Sequence, residues 1–157
     1  MMTFAQKSSP ATDRRREERH RSGRNMAPDR PHVTAERPLD APLLTFEIPT
    51  LLAQLKAEAT WQRETHNAMT LTKSRGLRVV LVAMHSGATL PTHHTDGPIS
   101  MQVIDGELRV SADSRVVTLH AGQLATLQSG VRHGIQSVTE AAFLLTLSAE
   151  ARHPAEL

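Results

Sequence analysis

The sequence predicts an all-β domain, a sandwich or small barrel of short antiparallel strands behind one short helix. Two observations carry this. From residue 69 onward short β-rich runs alternate with Gly- and Asp-rich turn signals, as regularly spaced strands require. The run "RVVLVAM" at 78–84 is too continuously apolar for a strand with one wet face, so it belongs at the centre of a sheet.

The elements follow in order. Residues 1–40 hold nine Lys and Arg against six Asp and Glu, a net of +3, and almost no apolar periodicity. Such a segment buries too little surface to offset its ordering entropy, so residues 1–42 are expected to be a disordered basic tail. Acidic residues interleaved among its arginines weaken it as a nucleic-acid arm. The domain is expected over 43–150, with 151–157 a C-terminal tail. Residues 41–157 carry nine basic against ten acidic residues, a net of −1.

In "IPTLLAQLKAEATW", Thr50 is a plausible N-cap, and Leu51, Leu52, Leu55 and Ala59 share a helical face. Trp61 follows as an apolar anchor. This surface either caps one end of the barrel or joins a symmetric homodimer. The strands are expected in "MTLTKS", "LRVVLVAMH", "ISMQVI", "ELRVSA", "RVVTLH", "LATLQ", "HGIQSVT" and "AAFLLTLS". Asp105-Gly106 suits a tight hairpin, since glycine tolerates positive φ.

Composition excludes several functions. The 157-residue chain contains no cysteine, which rules out disulfides, thiolate metal sites and cysteine nucleophiles. One Trp, three Phe and no Tyr leave little for stacking on bases, so nucleic acid is not an expected partner. No apolar run reaches the roughly 18 residues of a membrane span. With no apolar signal core at its start, the protein is expected to be soluble and cytoplasmic. No G-x-S-x-G elbow and no phosphate-binding glycine loop is present.

The chemistry-bearing residues cluster in "GATLPTHHTDGPISMQVIDG" at 87–106 and in "GQLATLQSGVRHGIQS" at 122–137. Gly87 is followed by five residues and His93, and Gly106 closes the first stretch. Gly122 is followed by five residues, Gln128-Ser129-Gly130, two residues, His133, three residues and Ser137. This pair of frames resembles the two motifs of small single-domain cupins of the RmlC-like type, over roughly residues 70–148. The resemblance implies a double-stranded β-helix, or jelly roll, and a homodimer.

It also implies a metal site, here degenerate. In metal-binding cupins two histidines and a glutamate of the first motif join a histidine of the second around a transition metal. Here His93 and His133 match the first and last ligands, Thr95 stands for the second histidine and Ile99 for the glutamate. Gln128 and Ser137 replace the second motif's proline and asparagine. His94 is one residue out of step, and successive side chains in a strand face opposite ways. It reaches the interior only if a bulge or the Asp96-Gly97-Pro98 turn rotates it.

Three readings follow, the last an interaction module whose basic tail finds a partner, supported by the tail's composition alone. In the first, a small molecule binds inside the barrel without metal or catalysis, against Thr95, Ile99, Met101, Val103, Gln128 and Arg132. Ile99, Met101 and Val103 would then form one inward apolar row, and Arg132 would hold an anionic group at the mouth. In the second, His93, His133 and His94 hold Fe, Mn, Ni or Zn in a dioxygenase- or isomerase-like enzyme. His85 and His120, at strand ends, are expected to be hydrogen-bonding or surface residues, and His66 to be exposed ahead of the barrel.

Overall fold

The structure is a computed structural model that describes residues 37–148. Among the described residues, helices α1 (Ile48–Ala57) and α2 (Ala59–Arg63) precede nine strands. These are β1 (His66–Lys73), β2 (Leu77–Met84), β3 (Thr89–His93), β4 (Ile99–Asp105), β5 (Glu107–Ala112), β6 (Arg115–His120), β7 (Leu124–Leu127), β8 (His133–Ser137) and β9 (Ala141–Ser148). One sheet has the order β1-β2-β9-β4-β7 and the other β3-β8-β5-β6. All pairings are antiparallel, and the all-β jelly roll expected from the sequence is present. No helix among the described residues is long and apolar enough to cross a membrane.

Strand β2 explains its own composition. It lies between β1 and β9, and both of its faces are covered. Val80, Val82 and Met84 point between the sheets, while Leu81 and Ala83 pack outward against Leu55, Trp61 and Leu71. The helical layer therefore covers the outer face of the five-stranded sheet rather than an end of the barrel.

That layer departs from the single helix expected. Glu58, in an extended conformation, divides it into α1 and α2, and Trp61 lies inside α2. The helix starts at Ile48 with Glu47 as N-cap, not at Thr50. Pro49 suits the first turn, where a missing N–H costs nothing. The Asn67 amide fixes the break, donating to Leu55 O at 3.0 Å and to Glu58 Oε2 at 2.9 Å.

Two other expectations change. Asp105-Gly106 is not a hairpin, because β4 and β5 lie in different sheets and the chain crosses between them at Gly106. True hairpins of consecutive strands occur at β1–β2 and β5–β6. Strand β3 has no counterpart among the predicted runs, because "TLPTH" is polar and holds Pro91. Proline is tolerated at a sheet edge or bulge, and β3 is an edge strand whose register shifts between Leu90 and His93.

His66 opens β1 and is half-buried, not exposed ahead of the barrel. Contacts with the domain begin before residue 43. Leu39 O accepts from Lys73 N and from Thr72 Oγ1, each at 2.8 Å, along the outer edge of β1. The remainder of the expected tails, residues 1–36 and 151–157, lies outside the described residues.

Candidate functional site

Strand pairing aligns the inward side chains into rows. In the four-stranded sheet, Leu90, Ile135, Val110 and Val117 share one row. The next row toward the barrel mouth is His93, His133, Ala112 and Arg115. In the five-stranded sheet the interior is apolar. Ile99, Met101 and Val103 are all buried, as their alternation predicts, and Gln102 is exposed on the other face. Met101 is paired with Leu145, and Val103 with Phe143, so the space between the sheets is filled at this level.

His93 and His133 are direct cross-strand partners. Their ring centroids are 4.5 Å apart and their planes tilted by 56°. His133 is buried and His93 is exposed at the mouth. Each Nδ1 donates to the carbonyl two residues back, His93 to Pro91 O and His133 to Val131 O, both at 2.9 Å. A carbonyl can only accept, so each neutral ring carries its lone pair on Nε2. The β3 bulge makes the pairing possible, since it shifts the register between Leu90 and His93.

The remaining residues singled out by sequence do not join this pair. His94 is exposed, beyond the end of β3. Thr95 turns its hydroxyl to Gly97 O at 2.8 Å. Its carbonyl accepts from Gly130 N at 2.9 Å, and Ser129 Oγ donates to Asp96 O. The two motif loops are thus stitched to each other. Arg132 is exposed, and its carbonyl accepts from Asp113 N at 3.3 Å. Among the described residues no three His, Asp or Glu side chains are placed to share a metal ion. Two imidazoles fall short of the three or four protein ligands that zinc takes, and of the two-histidine, one-carboxylate iron set. The donor set does not fit a resident metal.

Ser137, at the second motif's asparagine position, is fully buried and structural. Its single hydroxyl proton is shared between the His85 and Ala88 carbonyls, and its backbone N–H donates to Ala88 O at 2.9 Å. Ser137→Ala removes this hydroxyl contact, while the His85 and Ala88 carbonyls keep backbone N–H donors, so a loss of about 0.5–1.5 kcal/mol is expected. Urea unfolding checks this, and an unchanged midpoint would count against it. His85 stacks on Trp61, with centroids 3.6 Å apart, and its Nε2 donates to Trp61 O at 2.9 Å. His120 pairs with Glu107 at 3.1 Å, on the surface. Both strand-end histidines are hydrogen-bonding residues, as expected.

One feature escaped the sequence reading. Between edge strands β6 and β7, one from each sheet, lies a cavity of about 480 Å³. Val110, Val117, Leu119, Ala125, Leu127 and Val131 supply apolar wall. Arg115, Asp113, Thr126 and Gln128 supply the polar groups, so Gln128 does line it while Arg132 does not. The wall joins strands of different sheets that are not paired, so no local sequence pattern announces it.

Comparison with known proteins agrees with this architecture. The Cupin domain family matches residues 80–148. No curated protein matches the chain. Among solved structures, a cupin-2 domain containing protein from Shewanella frigidimarina is similar, with a TM-score of 0.55 and 14% identity over 66% of this chain and 94% of that one. A conserved protein of unknown function from Streptococcus pyogenes gives 0.53 and 19%, over 57% and 79%. KdgF from Halomonas sp. gives 0.52 and 16%, over 56% and 82%. At these identities the likeness is one of fold.

Proposed function

We propose that the domain, whose residues 80–148 match the Cupin domain family, binds a small, largely apolar molecule between its sheets without a resident metal. One observation carries this reading. The cavity of about 480 Å³ is walled mainly by aliphatic side chains with a few polar groups. Its size falls within the roughly 300–1,000 Å³ of small-molecule pockets, and its lining matches theirs. Fold alone assigns no reaction, since cupins support many chemistries. Gln128 lines the cavity, while Ile99, Met101 and Val103 belong to the packed core of the barrel.

A second reading has its own observation. His93 and His133 present adjacent Nε2 lone pairs, with each Nδ1 held by a carbonyl, and such outer hydrogen bonds orient metal-binding imidazoles. A metal there would need donors from outside the pair, such as the substrate itself.

Elemental analysis of tag-free protein purified without chelator separates the two, beside a His93→Ala/His133→Ala variant. The expected result is metal well below one ion per chain in both proteins, including after incubation with Fe, Mn, Ni and Zn. Near-stoichiometric metal in the wild type, lost in the variant, would overturn the metal-free reading.

A further inference from the structure

We infer that the β6/β7 cleft takes a monocarboxylate with an aliphatic body, its carboxylate held by Arg115. This rests on the small-molecule reading above and names the ligand class.

Arg115 opens β6 and pairs with Ala112 across the hairpin. Pairing puts it in register with Val117 two residues on, which faces the interior opposite Val110. A cation thus stands at the polar end of an aliphatic wall. Among the described residues Arg115 forms no ion pair. A guanidinium binds a carboxylate through two parallel N–H bonds, a geometry that an ammonium or a hydroxyl partner cannot reproduce.

The other polar groups narrow the class. Asp113 also borders the cleft. Its carboxylate opposes any anion and opposes a dianion such as phosphate more than a monoanion, so of the anions Arg115 could hold the cleft favours one with a single charge. Gln128 offers an amide that can donate to the second carboxylate oxygen or accept from a ligand hydroxyl. Apart from the Thr126 hydroxyl the rest of the lining is aliphatic, so the ligand's body is largely hydrocarbon-like. A sugar or nucleotide would leave its hydroxyls unpaired against Val117, Leu119 and Leu127.

The test uses the full chain and calorimetric titration with sodium octanoate, 1-octanol, octylamine and inorganic phosphate. Octanoate is expected to bind at least about tenfold tighter than 1-octanol, with no detectable binding of octylamine or phosphate. Arg115→Gln is expected to weaken octanoate about tenfold and leave 1-octanol unchanged, since a tenfold loss matches one charge-assisted contact of about 1.4 kcal/mol. Ala125→Phe fills the cleft and is expected to abolish binding of both.

Octanol and octanoate binding equally, with Arg115→Gln silent, would overturn the carboxylate assignment and leave the apolar-ligand reading standing. Octanoate binding undiminished in a folded Ala125→Phe protein would overturn the cleft as its location. Binding of none of the probes to the wild type would overturn the inference. Failure of a broader set of uncharged apolar probes as well would then remove the parent reading.

Discussion

Gly106→Ala is expected to cost about 3 kcal/mol or more, and Gly122→Ala only about 1 kcal/mol. Both glycines have positive φ, +74° and +86°. Forcing an L-residue into that region costs roughly 1–2 kcal/mol, partly offset by the stiffer unfolded chain. The difference lies in the space around them. A Cβ at Gly106 would sit 2.1 Å from Glu140 O and 2.9 Å from Ala141 Cα, both backbone atoms that cannot swing aside. At Gly122 nothing lies within 4 Å. The chain crosses from one sheet to the other at Gly106, pressed against the turn before β9. A domain of this size has about 5–15 kcal/mol in hand, so the first variant is expected to unfold at far lower urea. Equal midpoints for the two variants would show that the turn around Glu140 yields, and the clash argument would fail.

Phe143→Ala is expected to cost about 3–5 kcal/mol. Phe143 is fully buried in β9, paired with Val82 on β2 and Val103 on β4. Truncation removes its burial and leaves a cavity that rigid strands on both sides cannot collapse into. The result also bears on function. A loss below about 1 kcal/mol would mean the space beside Phe143 is loosely packed, and a ligand could then enter the barrel's centre. The expected large loss would confine ligands to the cleft at the side.

Much of this fold was legible in the sequence, for identifiable reasons. The runs "ELRVSA", "RVVTLH" and "AAFLLTLS" coincide with β5, β6 and β9, because turn residues bound them and β-branched and aliphatic residues fill them. The His93–His133 pair was foreshadowed by glycine–histidine spacing, which fixes how far each histidine lies from a turn. Strand β3 was hidden because Pro91 breaks the β signal at the bulge that aligns His93. The crossing at Gly106 was mistaken for a hairpin because Asp-Gly marks the local turn but not which strand the chain pairs with next. That Arg115 lines the cleft is not legible in the sequence, because the cleft unites β6 with β7, and sequence reports a side chain's alternation but not the partner facing it from another sheet.

The position of β9 has a consequence for how the molecule is made. It belongs to no hairpin; it inserts between β2 and β4, segments that precede it by dozens of residues. Until Ala141–Ser148 has left the ribosome, the five-stranded sheet exists only as a β1–β2 ribbon and a β4–β7 pair with a gap between them. Two-stranded ribbons are marginal in water. Folding is therefore expected to await synthesis of the last strand and then to proceed on the millisecond-to-second scale of non-local β topologies. In the interval, Val80, Val82 and Met101 stand open to chaperones and to one another.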